Sequence, residues 1–407
     1  MLLKILAFLA FVSLGLPDGV LGVAWPSVRR TFGLPLSALG LLLAGAMLGY
    51  LASSFASGAL VARAGVGRVL AWSSAVTAAA AFTSALAPAW PVMLVGGVLG
   101  GLGAGAIDAG INAHAAVAFS PRVVSWLHAC YGVGATLGPL LMTAAVTGPL
   151  SWRGGYAAIA LILAAMTAGF AATPHLWSRP PVPASASAPA ADRHREPSAG
   201  SAGLLGTLRR PAAWAGIALF FLYTGLEVSA GQWAYSLLTE SRGMSAAVAG
   251  VWVSAYWGSL TAGRVAVGAL ATRLSAVTLL RIGMLGAPGA AALLWLAHGP
   301  LGSLLALALL GLAFAGIFPM LIAETPARLG IAATRHAVGF QVAGACLGVA
   351  VLPGVVGVLA AHAGLEMTGP AIAVGAVLLF GLHEAVLRTT GAPRPLGLPG
   401  EAQRKKT

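Results

Sequence analysis

The stretch GLGAGAIDAGINAHAAVAFSPRVVSWLHACYGVGATLGP, residues 101–139, decides how this chain folds. Two apolar segments rich in Gly and Ala flank a short polar turn at residues 120–122. A helix of about 20 apolar residues is long enough to cross the hydrocarbon core of a bilayer. Asp108, Asn112 and His128 nevertheless lie inside these segments. A carboxylate inside a hydrophobic helix is costly, which predicts that it has a functional role.

Charged residues make up only 8% of this chain of 407 residues, while 58% are hydrophobic and the mean hydropathy is +0.90. A soluble domain carries about 25% charged residues, so the composition predicts an integral membrane protein. The alternation typical of strands is missing, which favours membrane-spanning helices over a barrel. The net charge of +13 lies in short loops and tails, a pattern that reflects membrane topology and argues against a nucleic-acid partner.

Motifs of the common enzyme and metal sites do not occur in the sequence. We find no P-loop, zinc signature or nucleophile elbow, so we expect neither catalysis, nor a cofactor, nor a bound metal. Cys130 and Cys346 both lie within apolar segments, where cysteine behaves as a small packing residue rather than as half of a disulfide.

Apolar segments recur along the chain and predict an all-α membrane protein of twelve transmembrane helices. The first resembles a signal peptide, but its apolar run continues well past Asp18, so we expect a retained span. A Pro-, Ala- and Ser-rich segment, residues 175–211, predicts a flexible cytoplasmic linker. It separates two six-helix bundles, residues 1–174 and 212–390, and a basic tail follows at 391–407. The predicted spans are 5–26, 37–62, 69–88, 91–118, 123–147, 154–173, 212–238, 246–272, 277–297, 301–324, 334–362 and 367–388.

The basic residues predict an orientation for these spans. With the N-terminus in the cytoplasm, eighteen Lys and Arg residues fall on the cytoplasmic side and four fall outside, which is the bias of the positive-inside rule. Arg264 is the basic residue that remains inside a span. We therefore expect a multi-pass protein of the inner (plasma) membrane, a monomer in the lipid bilayer with both termini in the cytoplasm.

The two halves of the chain repeat each other with an offset of about 210 residues. GALVAR at 58–63 matches GALATR at 268–273, and Asp18 matches Glu227 when the offset is 209. Parallel six-span repeats are typical of transporters whose substrate site lies between the halves, near the bilayer midplane.

Twelve spans, a long central loop and the sequence GALVARAGVGR at 58–68 resemble the major facilitator superfamily. The resemblance implies two pseudo-symmetric six-helix bundles and transport by alternating access. The loop departs from the superfamily's signature at Ala62, where an aspartate is usual. We therefore do not expect a gating ion pair built on that aspartate.

Four further motifs lie within the spans, namely PDGVLGVAWP (17–26), AIDAGIN (106–112), LHACYGVGATLGP (127–139) and YTGLEVSAGQW (223–233). These motifs are similar to those of the fucose:proton symporter-like group and its bacterial relatives. The resemblance implies a sugar substrate, a proton as the coupling ion and functional acids at Asp18 and Asp108. An amide of that group corresponds to Tyr131 here, so the group's sugar contacts do not transfer directly.

Three acidic residues lie near mid-depth, where an ionised carboxylate costs about 2.5–3.5 kcal/mol. Asp108 is our first candidate for the proton carrier, because burial favours the protonated form of a carboxylate and the second half has no acid at the matching position. The alternative is a structural acid bonded to Asn112 or His128. Asp18 and Glu227 would bind sugar hydroxyls, or else would join helices beside glycines.

Two basic side chains complete the predicted coupling group. His128 could relay protons from Asp108 toward the cytoplasm, or could be a hydrogen-bonded link between helices. Arg264 needs a partner inside the membrane. A pair with Asp108 would be broken by protonation, whereas snorkelling toward the interface is the alternative.

The predicted substrate site also contains amide and aromatic side chains, because aromatic faces stack on sugar rings and amides bind hydroxyls. Trp and Tyr also form ordinary interfacial belts, which is the competing interpretation. The residues added to Asp18 and Glu227 on this basis are Asn112, Tyr131, Gln232, Trp233, Tyr256, Trp257 and Gln341.

These features together predict a proton-coupled symporter of a small neutral sugar or polyol. Proton-antiport efflux of a drug-like or amphipathic compound is the first alternative, and a lipid-handling or non-transporting sensor protein is the second. A central cavity lined by polar side chains would favour a sugar, and a dry aromatic cavity would favour efflux. A lateral opening between helices with an apolar groove would favour lipid.

Overall fold

A computed structural model of the protein describes residues 2–177 and 204–390. These residues form helices joined by short turns and include no strand. The predicted tail at 391–407 and most of the predicted linker lie outside the described residues. Short helices at Pro174–Trp177 and Leu204–Leu208 occupy the two described edges of that linker.

The described residues form twelve helical spans, as the sequence predicts, and we number them in chain order. Eleven are long and apolar enough to cross a membrane, and the twelfth, span 8, carries Arg264. The spans are Leu2–Phe32 (with an interruption), Ala38–Ala64, Val66–Leu86, Trp90–Ala118, Pro121–Thr147, Ser151–Ala172, Pro211–Ser241, Ala246–Leu270, Ala276–Leu296, Pro300–Leu329, Ile331–Ala363 and Thr368–Thr390.

Proline and glycine set the ends of several spans. Pro121, Pro211 and Pro300 occupy the first turn of spans 5, 7 and 10, where a missing N–H costs no helical hydrogen bond. Gly33 and Gly330 end spans 1 and 10 with φ angles of 64° and 79°, a conformation that glycine adopts without steric strain. Tight turns of this kind keep neighbouring spans antiparallel.

Span 1 is not the continuous helix over 5–26 that the sequence predicts. A helix at Leu2–Gly15 ends in a turn, and a second helix begins at Val20–Phe32. Pro17 has no N–H to donate, and its ring clashes with a preceding helical turn, which accounts for the break. Asp18 therefore lies on irregular backbone in the middle of the bundle, where backbone polar groups need other partners.

Because the spans run alternately in opposite directions, both described ends of the chain lie on the same side of the bundle. We call the side that holds Leu2 and Thr390 the terminal face, and the side that holds the turns at Gly33 and Gly364 the opposite face. Spans 1–6 are called the first half and spans 7–12 the second half.

The two halves touch along three seams, at which span 1 meets span 7, span 2 meets span 11 and span 5 meets span 8. Small residues line these seams. A Cβ atom at Gly40 would lie 2.6 Å from the Cα atom of Gly354, and Gly250 lies against the side chain of Thr143. Glycines at such places let two helix backbones approach closely. These contacts lie between mid-depth and the opposite face.

Toward the terminal face the two halves have separate apolar cores. One core contains residues no later in the chain than Trp177, including Phe11 and Ile111, and another contains only residues of the second half, including Leu329 and Ala337. The largest core, by contrast, takes buried residues from both halves. This distribution indicates a bundle that is closed at the opposite face and open at the terminal face.

Gly40→Ala should lower the melting temperature of the protein in detergent, because the new methyl group would collide with the Gly354 backbone. Overpacking of this kind costs about 1–3 kcal/mol, which exceeds the gain in helix propensity of about 0.5–1 kcal/mol. Gly58→Ala, on the same span, is the matched control, because no atom lies within 4 Å of its Cβ position. Equal melting temperatures for the two variants would contradict this account of the seam.

Candidate functional site

The three deep acids named from the sequence share one feature, which is a hydrogen bond from a tyrosine hydroxyl. Each acid has a different tyrosine, and in each case the phenol donates to the carboxylate. A phenol satisfies a buried carboxylate without adding a charge. The pairs are Tyr131 with Asp18, Tyr50 with Asp108 and Tyr223 with Glu227.

The side chain of Asp108, on span 4, accepts its hydrogen bonds from residues of the first half. Tyr50 on span 2 donates to its Oδ2 atom at 2.6 Å, and Asn112 donates to its Oδ1 atom at 2.8 Å. The Asn112 side chain also contacts the backbone oxygen of Asp108 at 2.9 Å, as the spacing of four residues along a helix allows. Both carboxyl oxygens thus have a donor, and Asp108 is half-buried.

His128 on span 5 is exposed, although it lies between the ends of its helix. Its ring packs edge-on against Phe11 of span 1, with the ring centres 5.1 Å apart. Its charge would act on Asp108 through space. An exposed imidazole near a half-buried carboxylate can exchange protons with water in the cavity.

Asp18 occupies the break in span 1 and is exposed even though it is deep in the bundle. Its carboxylate accepts a hydrogen bond from Tyr131 of span 5. Its backbone oxygen accepts a hydrogen bond from Nε2 of Gln232, at 3.0 Å. Because Gln232 belongs to span 7, this bond joins the two halves directly at the interrupted backbone.

Glu227 and Arg264 form an ion pair within the second half. The Arg264 guanidinium lies 3.3 Å from Oε1 of Glu227, and the side chains are 30% and 8% exposed, respectively. Tyr223 donates to the other carboxyl oxygen, and Tyr256 donates to the Glu227 backbone oxygen at 2.7 Å. Of the two alternatives for Arg264, a pair with Asp108 or snorkelling toward the interface, the structure shows neither, because the arginine pairs with Glu227 instead.

Asp18 and Glu227 match in sequence position but not in surroundings. Asp18 is exposed and has a neutral partner, whereas Glu227 is buried beside a cation. The fields of both carboxylates and of Arg264 nevertheless act on one another. The predicted polar residues that the structure links by hydrogen bonds, an ion pair or through-space interactions are thus Asp18, Asp108, Asn112, His128, Tyr131, Glu227 and Arg264.

Besides Gln232, four predicted substrate contacts are buried in packing. Trp233 is fully buried and donates its indole N–H to the Pro353 oxygen at 2.9 Å, and Tyr256 is also fully buried. The side-chain oxygen of Gln341 accepts a hydrogen bond from the Thr325 hydroxyl at 3.0 Å, inside the second half. Trp257 is 3% exposed and lies against Gly19 and Gly231 at the seam. In this state these four side chains support the cavity rather than face it.

Tyr50 and Tyr223 are functional candidates that the sequence reasoning missed. Tyr223 stands four residues before Glu227 on a helix, so the i, i+4 rule could have found it. Tyr50 meets Asp108 across 58 positions of the chain, and no local pattern marks that contact.

The chemistry available at this site is binding, charge pairing and proton exchange. Among the described residues, no group of three His, Cys, Asp or Glu side chains could hold a metal ion. Two six-span halves with deep acidic residues between them are the architecture of a membrane transporter.

The family follows from comparison with known proteins. The model of the Major Facilitator Superfamily matches residues 7–334, which is most of the chain. This chain belongs to the Major Facilitator Superfamily and is a secondary transporter, not an enzyme. A comparison with curated protein sequences finds no match.

Several solved transporters share this fold at low sequence identity. The nucleoside transporter NupG aligns with a TM-score of 0.74 and 14% identity, covering 95% of this chain and 98% of that one. A bacterial homologue of the human lysosomal transporter Spinster, in an inward-facing and occupied conformation, aligns with a TM-score of 0.74 and 14% identity. The alignment covers 95% of this chain and 96% of that one. A D-xylose-proton symporter aligns with a TM-score of 0.72 and 17% identity, and the alignment covers 93% of this chain and 96% of that one. These likenesses establish the fold alone.

Arg264→Ala should destabilise the protein more than Glu227→Gln does. Loss of the arginine leaves a buried carboxylate without its cation, which costs about 3–5 kcal/mol in a fully buried pair and less here, because Arg264 is 30% exposed. Loss of the carboxylate charge leaves a guanidinium that water can reach. Thermal unfolding in detergent would measure the order of the two effects.

The control for that comparison is Arg281→Ala. Arg281 pairs with Glu384 at 2.6 Å, but its side chain is 48% exposed, so water screens the pair and its loss should lower the melting temperature much less than the loss of Arg264. A result in which Arg281→Ala is as damaging as Arg264→Ala would contradict the importance assigned to the buried pair.

Proposed function

We propose that the protein is a proton-coupled symporter of a small neutral sugar or polyol. The observation that carries this proposal is the set of three carboxylates, each bonded to a tyrosine hydroxyl, around a central cavity in which Asp18 is exposed. Carboxylates and phenols are strong partners for hydroxyl groups. A cavity with this lining suits a hydroxyl-rich solute better than an apolar drug-like compound.

Substrate binding is proposed to centre on Asp18 and Tyr131. A sugar hydroxyl can donate to the Asp18 carboxylate, and another can donate to the oxygen of Tyr131. Arg264 is partly exposed and can donate to a ring or hydroxyl oxygen. The narrower assignment to the fucose:proton symporter-like group rests on the sequence motifs, and the D-xylose-proton symporter fold neighbour is compatible with a sugar and a proton.

Proton coupling is proposed to use Asp108, His128 and the pair of Arg264 with Glu227. Asp108 would bind the proton together with substrate uptake, and the exposed His128 would pass it on to the open cavity. Arg264 could then exchange Glu227 for Asp18, whose carboxylate is within its electrostatic reach. Inward movement of one positive charge is worth about 2.3 kcal/mol per 100 mV, which would drive accumulation.

The orientation is proposed from the positive-inside bias. Eighteen of the 23 Lys and Arg residues fall on the side of the termini, which makes the terminal face cytoplasmic in the inner (plasma) membrane. The arrangement closed at the opposite face is then the inward-facing state, in which a monomer releases its substrate to the cytoplasm.

Transport or handling of an amphipathic compound or lipid is the second candidate. A groove of about 480 Å³ between spans 2 and 11 favours it, because its lining is almost entirely apolar and includes Leu41, Val351 and Val355. The groove ends, however, at the close contact of Gly40 with Gly354. It therefore has no opening toward the central carboxylates at this level, which is why a small polar substrate is preferred.

In proteoliposomes with an acidic outside, the wild-type protein should accumulate one or more members of a panel of labelled sugars and polyols. Asp108→Asn should abolish accumulation that depends on the pH gradient while it retains exchange of labelled for unlabelled sugar, because a neutral amide mimics the protonated acid permanently. Asp18→Asn should instead weaken binding and so reduce exchange as well. Uptake and exchange assays would measure the two effects.

Glu384→Gln is the matched control, because it removes an acid on span 12 whose ion-pair partner among the described residues is the exposed Arg281. Accumulation that ignores the pH gradient, or that survives Asp108→Asn unchanged, would refute the coupling proposal. Transport of amphipathic compounds but of no sugar would favour the second candidate.

A further inference from the structure

The central site has more acidic than basic side chains. Glu227 has Arg264 as its ion-pair partner, and Asp108 feels the imidazole of His128 through space. Asp18 has neither a guanidinium nor an imidazole bonded to it, and the ion pairs of the described residues do not include it. The phenol of Tyr131 bonds its carboxylate without adding a positive charge. A negative charge at the middle of the bundle is therefore left to be offset by something that binds there.

Asp18 lies on the one break within span 1. The helix Leu2–Gly15 ends before it, and the next helix begins at Val20. Unwound backbone and half-helix ends at mid-membrane are places where transporters coordinate Na⁺ through carbonyl oxygens. Because the Asp18 side chain is exposed, water can supply further ligands to an ion bound at the break.

Gln232 of span 7 provides an independent indication of a ligand at the break. Its Nε2 atom donates to the backbone oxygen of Asp18 at 3.0 Å, while Oε1 of the same amide is buried without a hydrogen-bond partner among the described residues. The side chain is only 3% exposed, so bulk water does not satisfy that oxygen. The indole N–H of Trp257 is also unpartnered and does not bond to it. A buried acceptor of this kind is unfavourable until a donor or a cation reaches it.

The oxygen atoms gathered at the break match the preferences of a small hard cation. Carboxylate, amide and hydroxyl oxygens are the ligands that such cations take, whereas soft metals select thiolate. The site has a single carboxylate, which suits a monovalent ion better than Ca²⁺, whose sites contain several. It also differs from the group of three His, Cys, Asp or Glu side chains that would hold a transition metal, which the described residues do not form.

We propose that the break in span 1 binds a monovalent cation of the size of Na⁺, held by the Asp18 carboxylate and Oε1 of Gln232, with the Tyr131 hydroxyl beside it. The bound ion neutralises Asp18 and satisfies the buried amide oxygen. Its charge also opposes the approach of Arg264 to Asp18, so that the arginine stays with Glu227 while the ion is bound. A hydroxyl of the solute can complete the coordination of the ion, and only this last step rests on the proposed function.

The test is equilibrium binding of radioactive Na⁺ to the purified full chain in detergent, with choline chloride to hold the ionic strength constant. The wild-type protein should bind Na⁺ saturably, and unlabelled Na⁺ should displace it. Asp18→Asn removes the charge, and Gln232→Met removes the amide oxygen at nearly constant length. Each should weaken the affinity for Na⁺ by about tenfold or more.

Glu384→Gln is the control, because it removes an acid whose partner is the exposed Arg281 and should bind Na⁺ as the wild type does. Melting temperatures without Na⁺ check the folding of each variant. If Asp18→Asn does not fold, Gln232→Met carries the test, together with a rise in the wild-type melting temperature that Na⁺ causes and choline does not.

Absence of saturable Na⁺ binding by the wild type would overturn the proposal. So would an Asp18→Asn variant or a Gln232→Met variant that binds Na⁺ with wild-type affinity. The assay contains neither sugar nor a pH gradient, so its outcome is separate from that of the uptake experiments. Intact Na⁺ binding without any sugar uptake would refute the proposed function and leave the cation site standing.

Discussion

A carboxylate inside an apolar helix bundle must be given hydrogen-bond donors, and the rest of the site depends on how that need is met. Three phenols supply it, and only Glu227 also receives a cation. Neutral donors leave Asp18 and Asp108 free to change protonation state without the loss of an ion pair, whereas protonation of Glu227 would weaken its pair with Arg264. The one arginine is shared electrostatically with Asp18, so a change at one acid is felt by the others.

The contact between the two halves depends on small residues at the seams. Gly22 and Gly40 allow backbone contact between the halves, and such contact has little side-chain interlock to resist separation. Directional polar contacts then fall at few places, namely the Gln232 bond at mid-depth and the Arg29–Glu240 pair at the surface. Broad but shallow packing together with a few polar links suits a protein that must open and close at the same surface repeatedly.

The sequence predicted the number of spans, their approximate limits and the depth of the acids, because long apolar runs and rare charges are strong signals in a membrane protein. It did not predict the break at Pro17, since Pro26 and Pro139 lie within continuous helices. Nor did it predict which acid meets Arg264. That choice depends on the direction in which each helix faces, and spans made of Ala, Leu and Gly on all sides carry little periodic signal. The same limit explains why the Trp233 indole turned out to be packed against another span.

Both described ends of the chain lie on the face where the two halves are apart. A mechanical load applied between those ends therefore acts at a distance from the seams and has leverage on them. Such a load would separate the two halves progressively, beginning at the terminal face, and would not break all three seams at the same time.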